Sequence, residues 1–434
     1  MQTSPSKLTT YASNYRDLFG DQRLFDGFVG TLQGILGSQS LHLSKIANAS
    51  SLLTGQHAER RVRRLVHGDN QRAPLSAEAL TERLTKEGVS KLAWEDEVLL
   101  ILDESDLRKP FATCMEHLDT VRSLDGELVP GFRTLNVLGI GASGQRAILY
   151  HHSFSASAPG FESASVEYRW AMDKVTNALR GVGVGRLLWV IDRAGDDLKL
   201  MKHLHEAGSS FVIGVQHVNR KCKHKGRNTS VAQAVEVAPV LGEATLERRL
   251  LDPSSKRHRN QHVPVQLAGT EVELRESLGF VVSVAQVKSP LNERGWLLLS
   301  NLRLHPDEEV AVLQRLLSVY RQRWAIEDLF AWTKGALGWE SVRLMSFGAL
   351  RTLVAFAWLG AAFLYDLSSD AESQGVQFLA QLGGAQAGNK KPGMRRLATG
   401  LRHLASYLLV ATYAPQFGGD DALLTLAHLV LPAP

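Results

Sequence analysis

Cysteine is nearly absent from this chain. Only Cys114 and Cys222 occur among its 434 residues, and neither belongs to a Cys-x-x-Cys pair. Closely spaced cysteines are the usual sign of a structural zinc site or a disulfide framework. The histidines form no His-Glu-x-x-His motif either. The sequence therefore predicts neither a disulfide framework nor a zinc site.

Long apolar runs are missing as well. The longest covers residues 352–365, about 14 residues, whereas a helix that crosses a bilayer needs about 20. This run predicts a buried helix. The N-terminal sequence MQTSPSKLTT lacks the charged and then apolar layout of a signal peptide. We therefore expect a cytoplasmic protein with no membrane partner.

The excess of positive charge is small, at +5, but the basic residues are unevenly distributed. They form four groups, which are Arg60, Arg61, Arg63 and Arg64; Arg220, Lys221, Lys223, Lys225 and Arg227; Lys256, Arg257 and Arg259; and Lys390, Lys391, Arg395 and Arg396. One such group alone is most often a solvated surface. Four separate groups suit a long polyanion better than a small acidic substrate.

Apolar residues at helical spacing dominate residues 1–90. Val62, Leu65 and Val66 alternate with the first group of arginines, so that Arg60, Arg61, Arg63 and Arg64 lie on one basic helix. A small helical region with a basic helix is a common means of binding DNA. The alternative is a solvated basic helix on a dimerisation arm.

Strand and helix patterns alternate from about residue 91 and predict an α/β sheet. The segments EVLLILD and RLLWVID are short apolar runs, typical of strands buried on both faces. Between 217 and 304, basic loops are interleaved with short strand patterns, which indicates a β-rich insertion. Helical patterns return after it. The predicted division is 1–90 helical, 91–216 core, 217–304 insertion, 305–365 core and 366–434 helical.

Two acids occupy equivalent positions in this scheme. Asp103 ends the run VLLIL and Asp192 ends the run LLWVI. Functional groups gather at the carboxyl ends of parallel strands, and carboxylates there are costly to bury without a compensating charge. Mg²⁺, which binds carboxylates together with phosphate and water, would compensate them. The alternative is that each aspartate caps the turn that follows it.

The segment YRQRWAIEDLFAWTKGALGWE supplies a third acid. Tyr320, Arg323, Glu327 and Lys334 follow one another at offsets of three, four and seven residues, which places them on one stripe of a single helix. Most mixed-charge stripes are ion-pair ladders facing solvent. Trp324 and other apolar neighbours leave little of this helix fully polar, however, and favour a functional face.

The spacing Tyr-x2-Arg-x3-Glu-x6-Lys resembles the signature of the DDE transposases of the insertion-sequence-four family. Upstream, LILDESDLRKP resembles the family's first-acid segment, and VIDRAGDD resembles its second, with Asp192, Arg193 and Asp196. The resemblance covers residues 95–365. It implies an RNase H-like catalytic core interrupted by the β-rich insertion, with α-helical regions at both ends.

The resemblance also implies roles for individual residues. Asp103, Asp192 and Glu327 would be the catalytic residues and would bind two Mg²⁺ or Mn²⁺ ions, which activate the attacking hydroxyl and stabilise the leaving oxygen. The remaining candidates would contact DNA: Tyr320, Arg323, Lys334, Arg193, Trp296 and the arginines of the basic helix. Trp296, rather than Trp189, is the candidate for stacking on an extruded base, with a core role as its alternative.

The implied function is cut-and-paste transposition of an insertion sequence. The partners would be double-stranded DNA, as terminal inverted repeats and as target, and a second copy of the chain in a synaptic homodimer. The protein would associate with the nucleoid when bound to DNA. One alternative is an inactive or domesticated transposase that binds DNA without cutting it. Another is a different RNase H-like nuclease, such as a junction resolvase, which the long interval between Asp192 and Glu327 disfavours.

Overall fold

The computed structural model describes residues 6–53, 57–69, 73–123, 125–252, 257–274, 279–290, 292–385, 392–413 and 415. Three lysines of the basic groups, Lys256, Lys390 and Lys391, lie outside the described residues.

Helices make up the described N-terminal part, in agreement with the sequence pattern. They are α1 (Lys7–Ser13), α2 (Gln22–Ser38), α3 (Leu43–Asn48), α4 (Ala58–His67) and α5 (Ala77–Lys91). The side chains of Ser6, Asp21 and Ser76 cap the first, second and fifth helices by accepting backbone N–H groups. Gly34 lets α2 approach α3 closely, because a Cβ there would lie 2.1 Å from a backbone oxygen of α3.

A single mixed sheet contains all the described strands. They are β1 (Glu97–Arg108), β2 (Asp119–Arg122), β3 (Leu128–Gly141), β4 (Arg146–Phe154), β5 (Arg186–Ile191), β6 (Ser210–Gly214), β7 (Lys221–His224), β8 (Arg227–Ser230), β9 (Val240–Asp252), β10 (Arg257–Leu274), β11 (Val282–Ser289) and β12 (Asn292–Ser300). Their order is β2-β3-β1-β5-β6-β12-β11-β10-β7-β8, with β4 beside β3 and β9 beside β10.

The centre of the sheet combines two kinds of pairing. Strands β4, β3 and β1 are antiparallel, whereas β1, β5 and β6 are parallel. Helix α6 (Ala164–Gly181) connects β4 to β5, and α7 (Leu198–Glu206) connects β5 to β6. Parallel neighbours joined by helices are the pattern of an α/β sheet, so the α/β class predicted from the sequence agrees with the structure.

Residues 217–304 extend this sheet. Strand β12 pairs antiparallel with β6, and β11, β10 and β7 follow it outwards. A short helix, α8 (Val231–Glu236), begins with a capping box formed by Ser230 and Gln233. The residues predicted to form an insertion are therefore hydrogen-bonded to the central strands in one continuous sheet.

The described part of the chain after β12 is mainly helical. It forms α9 (Glu309–Gln322), α10 (Ala325–Phe330), a π-helical segment (Ala331–Ala336), α11 (Phe347–Ser369), α12 (Gln374–Leu382) and α13 (Met394–Tyr413). Among the described residues, α11 is the one helix long and apolar enough to cross a membrane, but 89% of its apolar window is buried inside the protein. The predicted buried helix is confirmed, and this burial agrees with a soluble protein.

One apolar core joins the N-terminal helices, one face of the sheet and α11. The rings of Phe28 and Phe356 lie 5.4 Å apart, and the Tyr11 hydroxyl donates a 3.1 Å hydrogen bond to the carbonyl of Leu359. A second core lies on the opposite face, beneath α6, α7 and α8. The N-terminal helices thus share their core with residues more than 300 positions away in the chain.

Candidate active site

The pairing of β1 with β5 brings two of the predicted acids together. Leu102 lies opposite Ile191, the last paired residues of the two parallel strands, so the next residues are Asp103 and Asp192. The sequence pattern predicted that Asp103 ends its strand, and this prediction is wrong. Strand β1 continues to Arg108 through its pairing with β3. What ends at Asp103 is the parallel pairing, because the chain turns away after Ile191.

Asp192 also caps the turn that follows it. Its Oδ1 accepts a 2.8 Å hydrogen bond from the backbone N–H of Ala194, at the start of a short 3-10 turn (Arg193–Gly195). The capping role that was the alternative to metal binding is therefore present. It employs one carboxylate oxygen, and it fixes the carboxyl group at the carboxyl edge of the sheet.

Arg323 connects the third acid to the first. Its Nη1 donates to Asp103 Oδ2 at 3.0 Å and its Nη2 donates to Glu327 Oε1 at 3.0 Å. The planar fork of a guanidinium suits two carboxylates at once. The Arg323 side chain is largely buried, whereas that of Glu327 is 54% exposed. The structure thus gathers Asp103, Asp192, Arg323 and Glu327 at one edge of the sheet.

The raised pKa of Asp103 shows that its negative charge is disfavoured in this arrangement. Burial, followed by the charge of Asp192, raises the pKa of Asp103 from 3.8 to about 7, with a further contribution from Glu327. The guanidinium of Arg323 opposes the shift without cancelling it. Three carboxyl groups and one guanidinium leave a deficit of positive charge at this edge.

Among the described residues, no three Asp, Glu, His or Cys side chains converge closely enough to hold a metal ion. The position between Asp103 and Glu327 is taken by the Arg323 guanidinium. In chemical type, the donor set does fit a hard divalent cation, because it consists of carboxylates that lack sufficient positive charge. Asp103 and Asp192 are the neighbouring pair, and Glu327 is the third candidate ligand.

The helix carrying the predicted stripe is not one continuous α-helix. It is interrupted at Arg323 and Trp324, between α9 and α10, and it continues as the π-helical segment. Lys334, in that segment, contacts Asp106 through its Nζ at 2.5 Å. The run thus departs from the regular α-helix that the spacing predicted, although all four side chains belong to it and Arg323 contacts Glu327 as an i, i+4 pair. Such π-helical insertions are frequent at functional sites.

An aromatic cluster borders the acids. The ring of Trp296, on β12, lies 6.0 Å from that of Tyr320 and 5.6 Å from that of Trp324. Gly214 makes room for Tyr320, because a Cβ there would lie 2.6 Å from the tyrosine hydroxyl. Trp296 is half-buried, so it is neither a pure core residue nor an open stacking platform. Trp189 is fully buried within β5 and is not available to a nucleotide.

A buried ion pair behind Asp192 has a role that the sequence pattern did not reveal. Asp196 accepts hydrogen bonds from the backbone N–H groups of Gln216 and His217, both at 2.8 Å, and from Arg220 at 2.5 Å. The Asp196 side chain is completely buried. Asp196, the second of the three acids in the segment VIDRAGDD, thus attaches the turn after Asp192 to the start of the residues beyond β6. Arg193, by contrast, is exposed on that turn.

A cleft of about 420 Å³ opens beside the acids, and sequence analysis missed part of its wall. Glu104 accepts a 3.3 Å hydrogen bond from the Tyr168 hydroxyl and lies 3.8 Å from the Arg133 guanidinium. Burial raises the pKa of Glu104. These residues come from β1, β3 and α6, so no local spacing could have revealed them.

The four arginines of the basic helix lie on α4 and are all exposed. Arg63 pairs with Glu59 at 2.9 Å and Arg64 with Asp69 at 3.1 Å. Val62, Leu65 and Val66 are buried on the opposite side of the helix. The structure confirms the amphipathic basic helix, and its role toward DNA stays a prediction.

Comparison with known protein families covers two of the three candidate acids. Residues 166–364 match the family model of the transposase DDE domain. The matched residues include Asp192 and Glu327 and begin after Asp103. No curated protein matches the chain. The segment from α6 to α11 is thus similar to the DDE domain of transposases, which indicates transposase activity.

Proposed function

We propose that this protein is a transposase of the insertion-sequence-four type, which cuts and rejoins DNA with Asp103, Asp192 and Glu327. The observation that carries the proposal is the pairing of β1 with β5, which sets Asp103 beside Asp192 within a chain that matches the transposase DDE domain. The central strands, three antiparallel and two parallel around β1, are compatible with the RNase H-like core that the resemblance implies.

Asp103, Asp192 and Glu327 would bind divalent metal ions, Mg²⁺ or Mn²⁺. The bound metal would supply activation of the attacking hydroxyl and stabilisation of the leaving oxygen. The raised pKa of Asp103 supports this assignment, because a carboxyl cluster short of positive charge gains stability from a cation. Arg323 supplies part of that charge in the structure, through its contacts with Asp103 and Glu327.

The basic and aromatic residues around the acids would hold the DNA. Arg323 can grip two phosphate oxygens through its planar fork, whereas Lys334 acts as a point charge. Tyr320 hydrogen-bonds Arg323 and its ring contacts Trp296. The Tyr320 hydroxyl would contact a phosphate, and Trp296 would stack on a displaced base. Arg193 is exposed beside Asp192 and is suited to a phosphate as well.

The reaction defines the partners. Excision requires two element ends held together, so the active form would be a homodimer on two terminal inverted repeats that later engages target DNA. Residues 1–90 would bind the repeats through the exposed arginines of α4. The division into core (91–216 and 305–365), insertion (217–304) and helical ends remains a functional proposal, since the insertion strands share the central sheet.

The test is cleavage of a labelled duplex that carries the inverted repeats flanking the gene. The protein should nick the DNA at the element end in Mg²⁺ or Mn²⁺, and a chelator should abolish the reaction. A matched duplex with scrambled ends is the control and should stay intact. Binding without cleavage in either metal would instead identify a domesticated DNA-binding protein.

A further inference from the structure

A short β-hairpin beyond β6 has no role in the site described above. Strands β7 and β8 pair antiparallel, and His224 lies opposite Arg227 across the turn. The two turn residues, Lys225 and Gly226, both have positive φ, at 48° and 78°. Two such residues form the tight turn that matches the twist of a hairpin. We call residues 221–230 the basic hairpin.

The charge of the basic hairpin is of one sign. Lys221, Lys223 and Lys225 are exposed, while Cys222 between the first two is buried in the core. Side chains alternate along a strand, so both strand lysines point outward and the third extends from the turn. Arg227 is exposed as well. No acidic residue occurs between Glu206 and Glu236, and Glu273 lies opposite Lys223 on the neighbouring strand β10.

The basic hairpin is fixed to the turn that carries Asp192. Its first residue follows Arg220, which pairs with the fully buried Asp196 at 2.5 Å. Asp196 also accepts hydrogen bonds from Gln216 and His217, just after β6. The chain leaves β6 at the same edge of the sheet where Asp192 follows β5. A short, anchored connection therefore joins the basic hairpin to the acidic edge, and β12, β11 and β10 lie between β6 and β7 in the sheet.

We propose that the basic hairpin binds the phosphate backbone of duplex DNA and aligns it with Asp192. Three lysines along an exposed β-ribbon suit a row of phosphates, which lysine contacts as a point charge. The partner is double-stranded DNA beside the bond to be cut, so the inference deepens the proposed function and rests on it. The Asp196–Arg220 pair transmits the position of the bound duplex to the turn after β5.

The test measures the salt dependence of binding to a fluorescent mixed-sequence duplex of about 40 base pairs. The triple variant Lys221→Gln/Lys223→Gln/Lys225→Gln is compared with the unchanged protein and with a matched control, Lys86→Gln/Lys174→Gln/Lys202→Gln. The control removes the same charge from exposed positions on α5, α6 and α7. Circular dichroism and thermal unfolding establish that both variants are folded.

We expect the slope of log K against log salt to become shallower by about 2.7 in the hairpin variant, at about 0.9 per lost phosphate contact. The control variant should keep the original slope. Equal slopes in all three proteins would overturn the inference, and so would equal changes in both variants, or a native protein that does not bind the duplex.

Cleavage of the element end by the native protein separates this inference from the proposed function. Cleavage together with an unchanged slope in the hairpin variant means that the hairpin proposal fails and the transposase proposal stands. Absence of cleavage together with the expected change in slope means that the hairpin binds duplex DNA, while the transposase proposal, and with it the alignment of the duplex with Asp192, fails.

Discussion

Asp103 is the residue at which burial and chemistry conflict most strongly. Its carboxyl group is buried beside two other carboxyl groups, and only one guanidinium contacts it. A purely structural position of this kind would favour asparagine, whose amide carries no charge. A carboxyl group with a strongly raised pKa is typical of functional sites.

The substitution Asp103→Asn should relieve the cost of the buried charge at high pH. The folded protein holds the Asp103 proton more tightly than the unfolded chain, because the pKa rises from 3.8 to about 7 on folding. Stability of the native protein therefore declines as pH rises from about 4 to about 7 and stays lower above that range. The variant lacks this decline.

Urea unfolding with chelator present measures the effect. Between pH 4 and pH 8, the free energy of unfolding of the variant should gain about 4 kcal/mol relative to the native protein. A difference that does not depend on pH would mean that Asp103 titrates normally in the folded protein.

Arg323→Lys tests the bridge between two acids. A lysine retains the charge but has no fork, so it cannot reproduce the separate Nη1 and Nη2 contacts to Asp103 and Glu327. We expect cleavage at the element end to fall about 100-fold, with the fold intact. Arg321→Lys, in the last turn of α9, is the matched control and should cleave normally. Full activity in Arg323→Lys would show that one positive charge is sufficient.

At the scale of elements, local patterns predicted what each segment becomes but not how segments align. The runs EVLLILD and RLLWVID predicted β1 and β5 because buried parallel strands are apolar throughout. Their register, which sets Asp103 beside Asp192, depends on residues about 90 positions apart. Glu104, Arg133 and Tyr168, which line the cleft beside the acids, could not be predicted for the same reason, because they come from distant segments of the chain.

The helix of the third acid shows a different limit. A period of 3.6 residues predicted one stripe, but the chain breaks at Arg323 and then adopts a π-helical segment. Lys334 lies within that segment and contacts Asp106. Spacing alone cannot reveal a change of helical type, because the hydrogen bonds that define it involve only the backbone.

The Asp196 connection makes a prediction at this scale. Asp196→Asn leaves Arg220 without its charged partner in a buried position, and we expect a loss of about 3 kcal/mol in the free energy of unfolding. Asp197→Asn is the matched control. Asp197 caps α7 through Lys199, and asparagine caps equally well, so its loss should be well under about 1 kcal/mol. Similar losses in both variants would contradict a structural role specific to Asp196.

At the scale of the whole molecule, the terminal regions and the sheet share one core. Leu41 donates a backbone hydrogen bond to the carbonyl of Leu337 at 3.2 Å, just beyond the π-helical segment. A Cβ added to Gly37 of α2 would lie 2.9 Å from the Cβ of Ala405 on α13, so these two helices pack closely. The connection between α2 and α3 therefore contacts the chain just after the π-helical segment, and α13 packs against α2.

Removal of residues 1–90 should consequently unfold more than the N-terminal helices. The truncated chain would expose the apolar surface of α11 around Phe356, which α2 covers. We expect the fragment to show no cooperative unfolding transition and to bind a hydrophobic dye. A fragment that unfolds cooperatively, with native-like near-ultraviolet circular dichroism, would mean that residues 1–90 form an independent domain.

Asp103, Asp192 and Glu327 are proposed to form one site that cuts DNA. The most direct measurement is cleavage of a labelled element-end duplex in Mn²⁺ by Asp103→Asn, Asp192→Asn and Glu327→Gln, beside Asp328→Asn as a control at the exposed neighbour of Glu327. We predict that each of the three variants binds the duplex and loses cleavage, while the control cleaves like the native protein. Cleavage that survives the loss of any one of the three acids would contradict the account.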